Sequence, residues 1–211
     1  EDVAQIFRNY QKFIRDSNAL DFDDLLGEVV RLFKKEKEIL SRYQNHFRYI
    51  LVDEWQDTNR AQYEITKLLA KKYQNLTVVG DASQSIYGWR GADHRNIVFL
   101  KDDFLDLTII NLEQNYRSTQ TILDAAFGVI SRNKTHPILR LWTENPNGEK
   151  VKIFQARSEI DEAAFVLGEI KRLSPPLKYS DFAILYRTNA QSRVLEEAML
   201  HAGIPYILVG G

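Results

Sequence analysis

Tyr49-Ile-Leu-Val52 is a short apolar run with two β-branched residues, and it passes straight into two carboxylates, Asp53 and Glu54. Such a run, bounded by charge, predicts a buried strand. A second run, Thr77-Val-Val-Gly-Asp81, also ends in an acid. Between them, Arg60 to Tyr73 has a helical pattern. Short strands alternating with amphipathic helices restrict a chain to the α/β class with parallel sheets. In that class, ligands bind in the crevice beyond the carboxyl ends of the strands, where Asp53 and Glu54 would stand. An Asp there can hold Mg²⁺ through oxygen, and a Glu beside it can polarise a water for attack on a phosphoryl group. The same residues are equally the ordinary acidic turn before a helix, with Asp57 or Thr58 as its N-cap.

The alternation continues along the chain. Val3 to Arg15 carries apolar residues at 3, 6, 7, 10, 13 and 14, one helical face. Asp21 to about Lys37 predicts a second helix with acids at its N-terminal end, and Ile39 to Phe47 a shorter one. Ala92 to Leu100, Thr119 to Asn133, Ser158 to about Leu173 and Asn189 to Gly203 predict further helices. Ser158 serves as an N-cap with Asp161 at N3. Leu107 to Leu112, Val151 to Gln155, Phe182 to Tyr186 and Tyr206 to Val209 predict four more strands. Asn145-Pro-Asn-Gly148 predicts a turn.

Composition narrows the function classes only a little. The chain has 211 residues, 44% hydrophobic and 27% charged, with a net charge of −1. A near-neutral total still permits a local basic groove for nucleic acid. With no cysteine, disulfide and thiolate chemistry are excluded, and a reducing cytoplasmic location is allowed. No run approaches the roughly 18 apolar residues of a membrane span, and no signal peptide opens the chain. It opens on Glu1 rather than Met and closes on Gly210-Gly211 after an apolar run, which reads as a piece of a longer protein.

Two further stretches carry chemistry. Gly88 and Gly91 flank Trp89-Arg90, so the backbone can turn sharply and present both side chains. Tyr87 and Trp89 with Arg90 offer flat faces and a cation, the means by which single-stranded nucleic acid is held without sequence preference. A core Tyr and Trp beneath a surface loop is the plain alternative. Gln84, just beyond the strand ending at Asp81, can reach the crevice of Asp53 and Glu54. In Asn111-Leu-Glu-Gln-Asn-Tyr116-Arg117-Ser-Thr119, an Arg between strand and helix can supply positive charge to a γ-phosphate, and Tyr116 can stack on a base. Here the plain alternative is a helix cap at Ser118 or Thr119 with an incidental Arg.

Asp53-Glu-Trp-Gln-Asp-Thr-Asn59, Gly80-Asp-Ala-Ser-Gln84-Ser-Ile-Tyr-Gly-Trp-Arg-Gly-Ala-Asp93 and Leu112-Glu-Gln-Asn-Tyr-Arg-Ser-Thr119 resemble motifs II, III and IV of the superfamily 1 DNA helicases. The resemblance is to the UvrD/PcrA/Rep group, and most nearly its PcrA type. It extends to Leu20-Asp-Phe22-Asp-Asp-Leu-Leu26 and to Leu185-Tyr-Arg187-Thr-Asn189-Ala-Gln-Ser-Arg193-Val-Leu-Glu-Glu197, in the family's order and spacing.

The resemblance implies parts of two RecA-like lobes of the P-loop NTPase type. Residues 1–106 would be the later part of the first lobe with the tail of an inserted helical domain. Residues 107–211 would begin the second lobe, ending where an accessory domain is inserted. It implies an ATP-dependent 3′→5′ helicase and single-strand translocase using ATP and Mg²⁺, acting on single-stranded DNA and single/double-strand junctions. Asp53 would hold Mg²⁺ and Glu54 would activate the water. Gln84 would sense the γ-phosphate, Tyr116 would stack on adenine and Arg117 would be the arginine finger. Phe22, Tyr87, Trp89 and Arg90 would contact DNA, with Arg187 and Asn189 from the second lobe.

The sequence departs from the family pattern in four places. Trp55 stands where Phe or Tyr is usual, and Ala82-Ser83 replaces a commoner Pro/Asp pairing. No G-x-x-x-x-G-K-[ST] phosphate loop occurs, and the family's last motif is also missing. Two other readings share these residues: the helicase portion of an AddA/RecB-like helicase-nuclease, and a non-catalytic DNA-binding module.

Overall fold

The structure, a computed structural model, describes residues 2–209; Glu1, Gly210 and Gly211 lie outside the described residues. It divides into two compact units, Glu1–Gly148 and Glu149–Gly211. The first carries helices α1 (Asp2–Asp16), α2 (Phe22–Lys35) and α3 (Lys37–His46), strand β1 (Ile50–Val52), helix α4 (Arg60–Ala70), strand β2 (Leu76–Val78), and helices α5 (Asn96–Asp103) and α6 (Gln120–Ile130). The second carries α7 (Glu159–Leu173) and α8 (Ser192–His201). None of the helices among the described residues is long and apolar enough to cross a membrane.

Local chemistry sets the helix starts. Asp21 accepts the Asp24 backbone N–H at 2.8 Å, and the Asp24 carboxylate accepts that of Asp21 at 3.3 Å, a reciprocal cap for α2. At α4 the cap is Asn59, paired reciprocally with Gln62 at 2.9 Å in each direction. This corrects the expectation of Asp57 or Thr58. Asp57 lies inside a 3₁₀ turn, Trp55–Asp57, and the Thr58 hydroxyl is spent on the Trp55 carbonyl, to which it donates at 2.7 Å. In the second unit, Ser158 caps α7 as its spacing to Asp161 requires.

β1 and β2 pair in parallel, Ile50 opposite Leu76 and Val52 opposite Val78. The pairing extends past the strand ends, because Val79 N–H donates to the Val52 carbonyl at 2.8 Å and Trp55 N–H to the Val79 carbonyl at 2.9 Å. Beside this sheet lies a core of Trp55, Tyr63 and Leu100, with Val52, Leu76, Val78, Ile97, Phe99, Phe104 and Leu107 packed on it. Trp55 is only 1% exposed, with its ring 5.8 Å from Tyr63, which in turn lies 6.1 Å from Phe99. Leu167, Ile170, Met199 and Ile204 form the core of the second unit.

The result is a mixed helix and strand fold with a small parallel sheet, consistent with an α/β class. Four predicted strands are corrected: 107–112, 151–155, 182–186 and 206–209 form no ladder among the described residues. A strand exists only through hydrogen bonds to a neighbour, and periodicity cannot guarantee one. The segment 182–186 makes the point. Phe182, Ile184 and Tyr186 are half-buried while Ala183 and Leu185 are exposed, the two-residue pleat of a strand without a partner.

The α4–α5 contact is polar as well as apolar. Tyr63 Oη and Lys67 Nζ both donate to the Asp103 carboxylate, Lys67 at 2.6 Å. Burial alone would raise the Asp103 carboxyl, but the hydrogen bonds from Lys67 and Tyr63 and the nearby Lys67 and Arg60 charges outweigh it and hold it below its ordinary value. Burial, then the bond to Asp103, pushes the Tyr63 phenol upward. A carboxyl depressed on folding adds stability above its unfolded pKa and loses it as pH falls through the folded value. Asp103→Ala is therefore expected to cost about 1–3 kcal/mol near neutral pH. The gap from wild type should narrow below about pH 4. Urea unfolding of both proteins across that range is the check; an undiminished gap in acid would assign Asp103 a purely steric role.

Candidate functional site

β1 ends at Val52, and the next two residues, Asp53 and Glu54, are exposed. Glu54 has φ 49° and ψ 44°, the left-handed region. For a side-chain-bearing residue this conformation costs on the order of 1–3 kcal/mol, and it persists where surrounding structure over-determines it. Here the determinants are visible. Glu54 N–H donates to Asp53 Oδ1 at 2.9 Å, and the next residue, Trp55, is locked in the core with its N–H on Val79. The chain thus leaves the strand, kinks at Glu54 and enters the 3₁₀ turn with a carboxylate at the kink.

Gln56, in that turn, is 1% exposed and uses both ends of its amide. Its Nε2 donates to Glu54 Oε2 at 2.7 Å, and its Oε1 accepts the Asp81 N–H at 3.0 Å. The Asp81 carboxylate accepts the Ser83 N–H at 2.9 Å and Gln84 Nε2 at 3.0 Å. The Ser85 hydroxyl donates to the Gln56 carbonyl at 3.3 Å. Gly80 is required by close approach: a Cβ there would lie 2.7 Å from Gln56 Oε1 and 3.1 Å from the Trp55 Cβ. Glu54 and Gln84 are therefore joined through Gln56 and Asp81 rather than in direct contact. Sequence reasoning selected the two ends of this chain and missed its middle. The only signal for Gln56 was its place inside the Asp-Glu-Trp-Gln string.

Gln84 ends a second 3₁₀ turn, Ala82–Gln84, and beyond it the chain makes a third, Gly88–Arg90, closed by Gly91 at φ 85°. Trp89 is 72% exposed. The Arg90 guanidinium lies 4.5 Å from the Trp89 ring centroid and 5.4 Å from that of Tyr87, and the two rings are 6.5 Å apart. This is a displayed aromatic pair with a cation against both rings. The turn is tied back to the acid segment: Asp93 N–H donates to the Thr58 carbonyl at 3.0 Å, and the buried Asn96 amide donates to the same carbonyl at 2.9 Å. Asp53, Glu54, Gln84, Tyr87, Trp89 and Arg90 thus share one hydrogen-bonded block.

Tyr116 and Arg117 occupy another loop. Asn115 Oδ1 accepts the N–H groups of Arg117 and Ser118 at 3.0 and 2.7 Å, and Asn145 donates to the Tyr116 and Ser118 carbonyls. Asn115 N–H donates to the Trp142 carbonyl at 2.7 Å. These bonds fix the backbone and leave Tyr116 79% exposed, with Arg117 exposed and in no ion pair among the described residues. Thr119 is the N-cap residue of α6 but makes no side-chain cap bond. Asn115 and Asn145 were also missed from the sequence: Asn115 closes a local turn on Arg117 and Ser118, two and three residues on, and Asn145 acts on carbonyls 29 and 27 residues upstream.

The remaining predicted residues stand apart. Phe22, the first residue of α2, is 90% exposed, and no aromatic contact joins it to Tyr87 or Trp89 among the described residues. Arg187 and Asn189 belong to the second unit, in the exposed turn before α8, where Gln191 Oε1 accepts the Arg187 and Thr188 N–H groups at 2.9 Å. Among the described residues no group of three or more His, Cys, Asp or Glu could hold a metal. Asp53 nonetheless supplies hard carboxylate oxygen, with Oδ1 taken by Glu54 N–H. That donor set suits a cation such as Mg²⁺, which takes one or two carboxylates and completes its shell with phosphate oxygens and water.

Residues 1–105 match the family described as the UvrD/REP helicase N-terminal domain, and residues 110–211 match the UvrD-like helicase C-terminal domain. The chain is 54% identical over 210 residues to the ATP-dependent DNA helicase PcrA of Staphylococcus aureus, covering 99% of this chain and 29% of that protein. It is 52% identical over 210 residues to PcrA of Staphylococcus epidermidis, with the same coverage. The chain therefore spans less than a third of the length of these relatives.

Proposed function

The chain belongs to the UvrD/REP helicase family, and from that premise we propose that it forms the portion of an ATP-dependent 3′→5′ DNA helicase that couples hydrolysis to movement along single-stranded DNA. The observation that carries this reading is the hydrogen-bonded block in which a strained, strand-end Glu54 is linked to Gln84 and the displayed Tyr87–Trp89–Arg90 turn. In the intact protein, residues 1–106 belong to the first RecA-like lobe and residues 107–211 to the second. There the unpaired extended segments of the second half serve as sheet strands. The protein works where its DNA is, in the cytoplasm.

Glu54 takes the proton of the attacking water, and its fixed bond from Gln56 leaves one carboxylate oxygen for that task. Asp53 would hold Mg²⁺, and the bound ion would supply positive charge to the phosphates. Gln84 meets the γ-phosphate, Arg117 adds a fixed positive charge and Tyr116 stacks on the adenine. Tyr87, Trp89 and Phe22 stack on bases of single-stranded DNA or of a junction, and Arg90, Arg187 and Asn189 contact its backbone.

Phosphate release by the full-length protein, with and without single-stranded DNA, tests the reading; a rate indifferent to DNA would refute it. A second test isolates the aromatic turn. Trp89→Ala in the full-length protein is expected to weaken single-strand binding by about 1–3 kcal/mol. That is about 5- to 150-fold in Kd by titration. The melting temperature should stay nearly constant, because Trp89 is outside the core. A large fall in melting temperature at unchanged DNA affinity would make Trp89 a packing residue.

A further inference from the structure

We propose that Gln56 is the positioning residue through which the DNA-contacting turn sets the water-activating carboxylate; the inference rests on the reading of Glu54 above. Its amide touches both sides. It donates to Glu54 Oε2 at 2.7 Å and accepts from the Asp81 N–H at 3.0 Å. Asp81 holds Gln84, and Ser85 holds the Gln56 carbonyl. Two of these four bonds, from the Asp81 N–H to Gln56 Oε1 and from the Ser85 hydroxyl to the Gln56 carbonyl, cross from the turn after β1 to the loop after β2, so a shift of residues 81–85 moves the group that orients Glu54.

Several features make this a stiff connection. Gln56 is 1% exposed, so water does not compete for its amide. Trp55 beside it is locked in the core. Gly80 leaves no room between them, since any Cβ at that position would overlap Gln56 Oε1. Both amide ends are used in only one amide orientation. Flipping it would set Oε1 against the Glu54 carboxylate and an N–H group against the Asp81 N–H. An exposed glutamine bridging the same two groups would fluctuate; a buried one with one permitted orientation transmits displacement.

The test uses the full-length protein with Gln56→Met and Gln56→Glu. Methionine keeps the length and removes the donor and acceptor. Glutamate keeps the acceptor for Asp81 and places a like charge against Glu54. Both are expected to lower the DNA-stimulated kcat about 10- to 100-fold, the size of a lost orienting contact. The KM for ATP and the Kd for single-stranded DNA should stay within about twofold, because neither ligand is touched. Gln56→Met combined with Gln84→Met should be no worse than the poorer single variant, the non-additivity of residues acting as one chain.

Wild-type kcat in both variants would overturn the proposal. So would multiplicative losses in the double variant, or a loss of rate that follows a fall in melting temperature. Glu54→Gln serves as the control that separates the two readings. If Glu54→Gln hydrolyses ATP normally, the assignment of Glu54 itself is wrong. If Glu54→Gln is inactive while both Gln56 variants are normal, only the role of Gln56 fails.

Discussion

In the full-length protein, Glu54→Gln is expected to lower kcat for ATP hydrolysis by at least about 10²-fold, the loss that follows removal of a positioned base. Nucleotide and DNA affinity should be retained. The substitution keeps the side-chain length and leaves a carbonyl oxygen that can still accept from Gln56 Nε2, so the turn keeps its shape. It removes only the capacity to take a proton. The structure sharpens the expectation because the backbone at Glu54 is fixed from both sides, by Asp53 Oδ1 on its N–H and by buried Trp55 after it. A variant with little conformational freedom cannot recruit another group into the same place. Single-turnover hydrolysis beside a nucleotide-binding titration is the measurement. Near-normal turnover would remove Glu54 from the chemistry and return the acid pair to the role of an ordinary turn.

The second large effect concerns the 211-residue chain by itself. It should release no phosphate from ATP above background, with or without single-stranded DNA. Phosphoryl transfer depends mostly on positioning and fixed charge, so the loss of one main anchor is not made up by the others. This sequence has the acid pair, Gln84 and Arg117, but no G-x-x-x-x-G-K-[ST] loop whose N–H groups and Lys would hold the β- and γ-phosphates. Weak single-strand binding through Tyr87, Trp89 and Arg90 should survive and should fall steeply with salt. The assay is phosphate release by the purified chain beside its own Glu54→Gln variant. DNA-stimulated release that disappears in the variant would show that the missing loop is dispensable.

How far these features were legible follows from the range of the interactions involved. Asp21 with Asp24, and Ser158 with Asp161, are partners three residues apart, so capping rules place those helix starts from sequence. The α4 start at Arg60 was read from sequence, but its cap was misplaced by one or two residues because the Thr58 hydroxyl is spent on the Trp55 carbonyl of the 3₁₀ turn at Trp55–Asp57, a detail no propensity encodes. β1 and β2 were readable because each run meets a parallel neighbour. Phe182 to Tyr186 has the same alternation but pairs with no strand among the described residues, and periodicity alone cannot tell the two apart. The chemical ends of the site, Asp53, Glu54 and Gln84, stood out as residue types in a recognisable string. Gln56 did not, because its partner Asp81 lies 25 residues away and becomes one only when β1 and β2 align. Asn145 escaped for the same reason, acting on carbonyls 27 and 29 residues upstream.

The left-handed backbone at Glu54 also limits which substitutions evolution can try there. Among side-chain-bearing residues, Asn and Asp enter that region most readily, because their short polar groups bond locally. Aspartate would relieve the strain and keep the charge. It is one methylene shorter, however, and would draw the carboxylate back from the Gln56 amide that now holds it at 2.7 Å. β-branched residues are barred by the backbone, and Gly or Asn by the chemistry. The position is pulled in opposite directions, toward a shorter acid by conformation and toward a longer one by reach, and glutamate is the compromise that meets the second demand at the expense of the first.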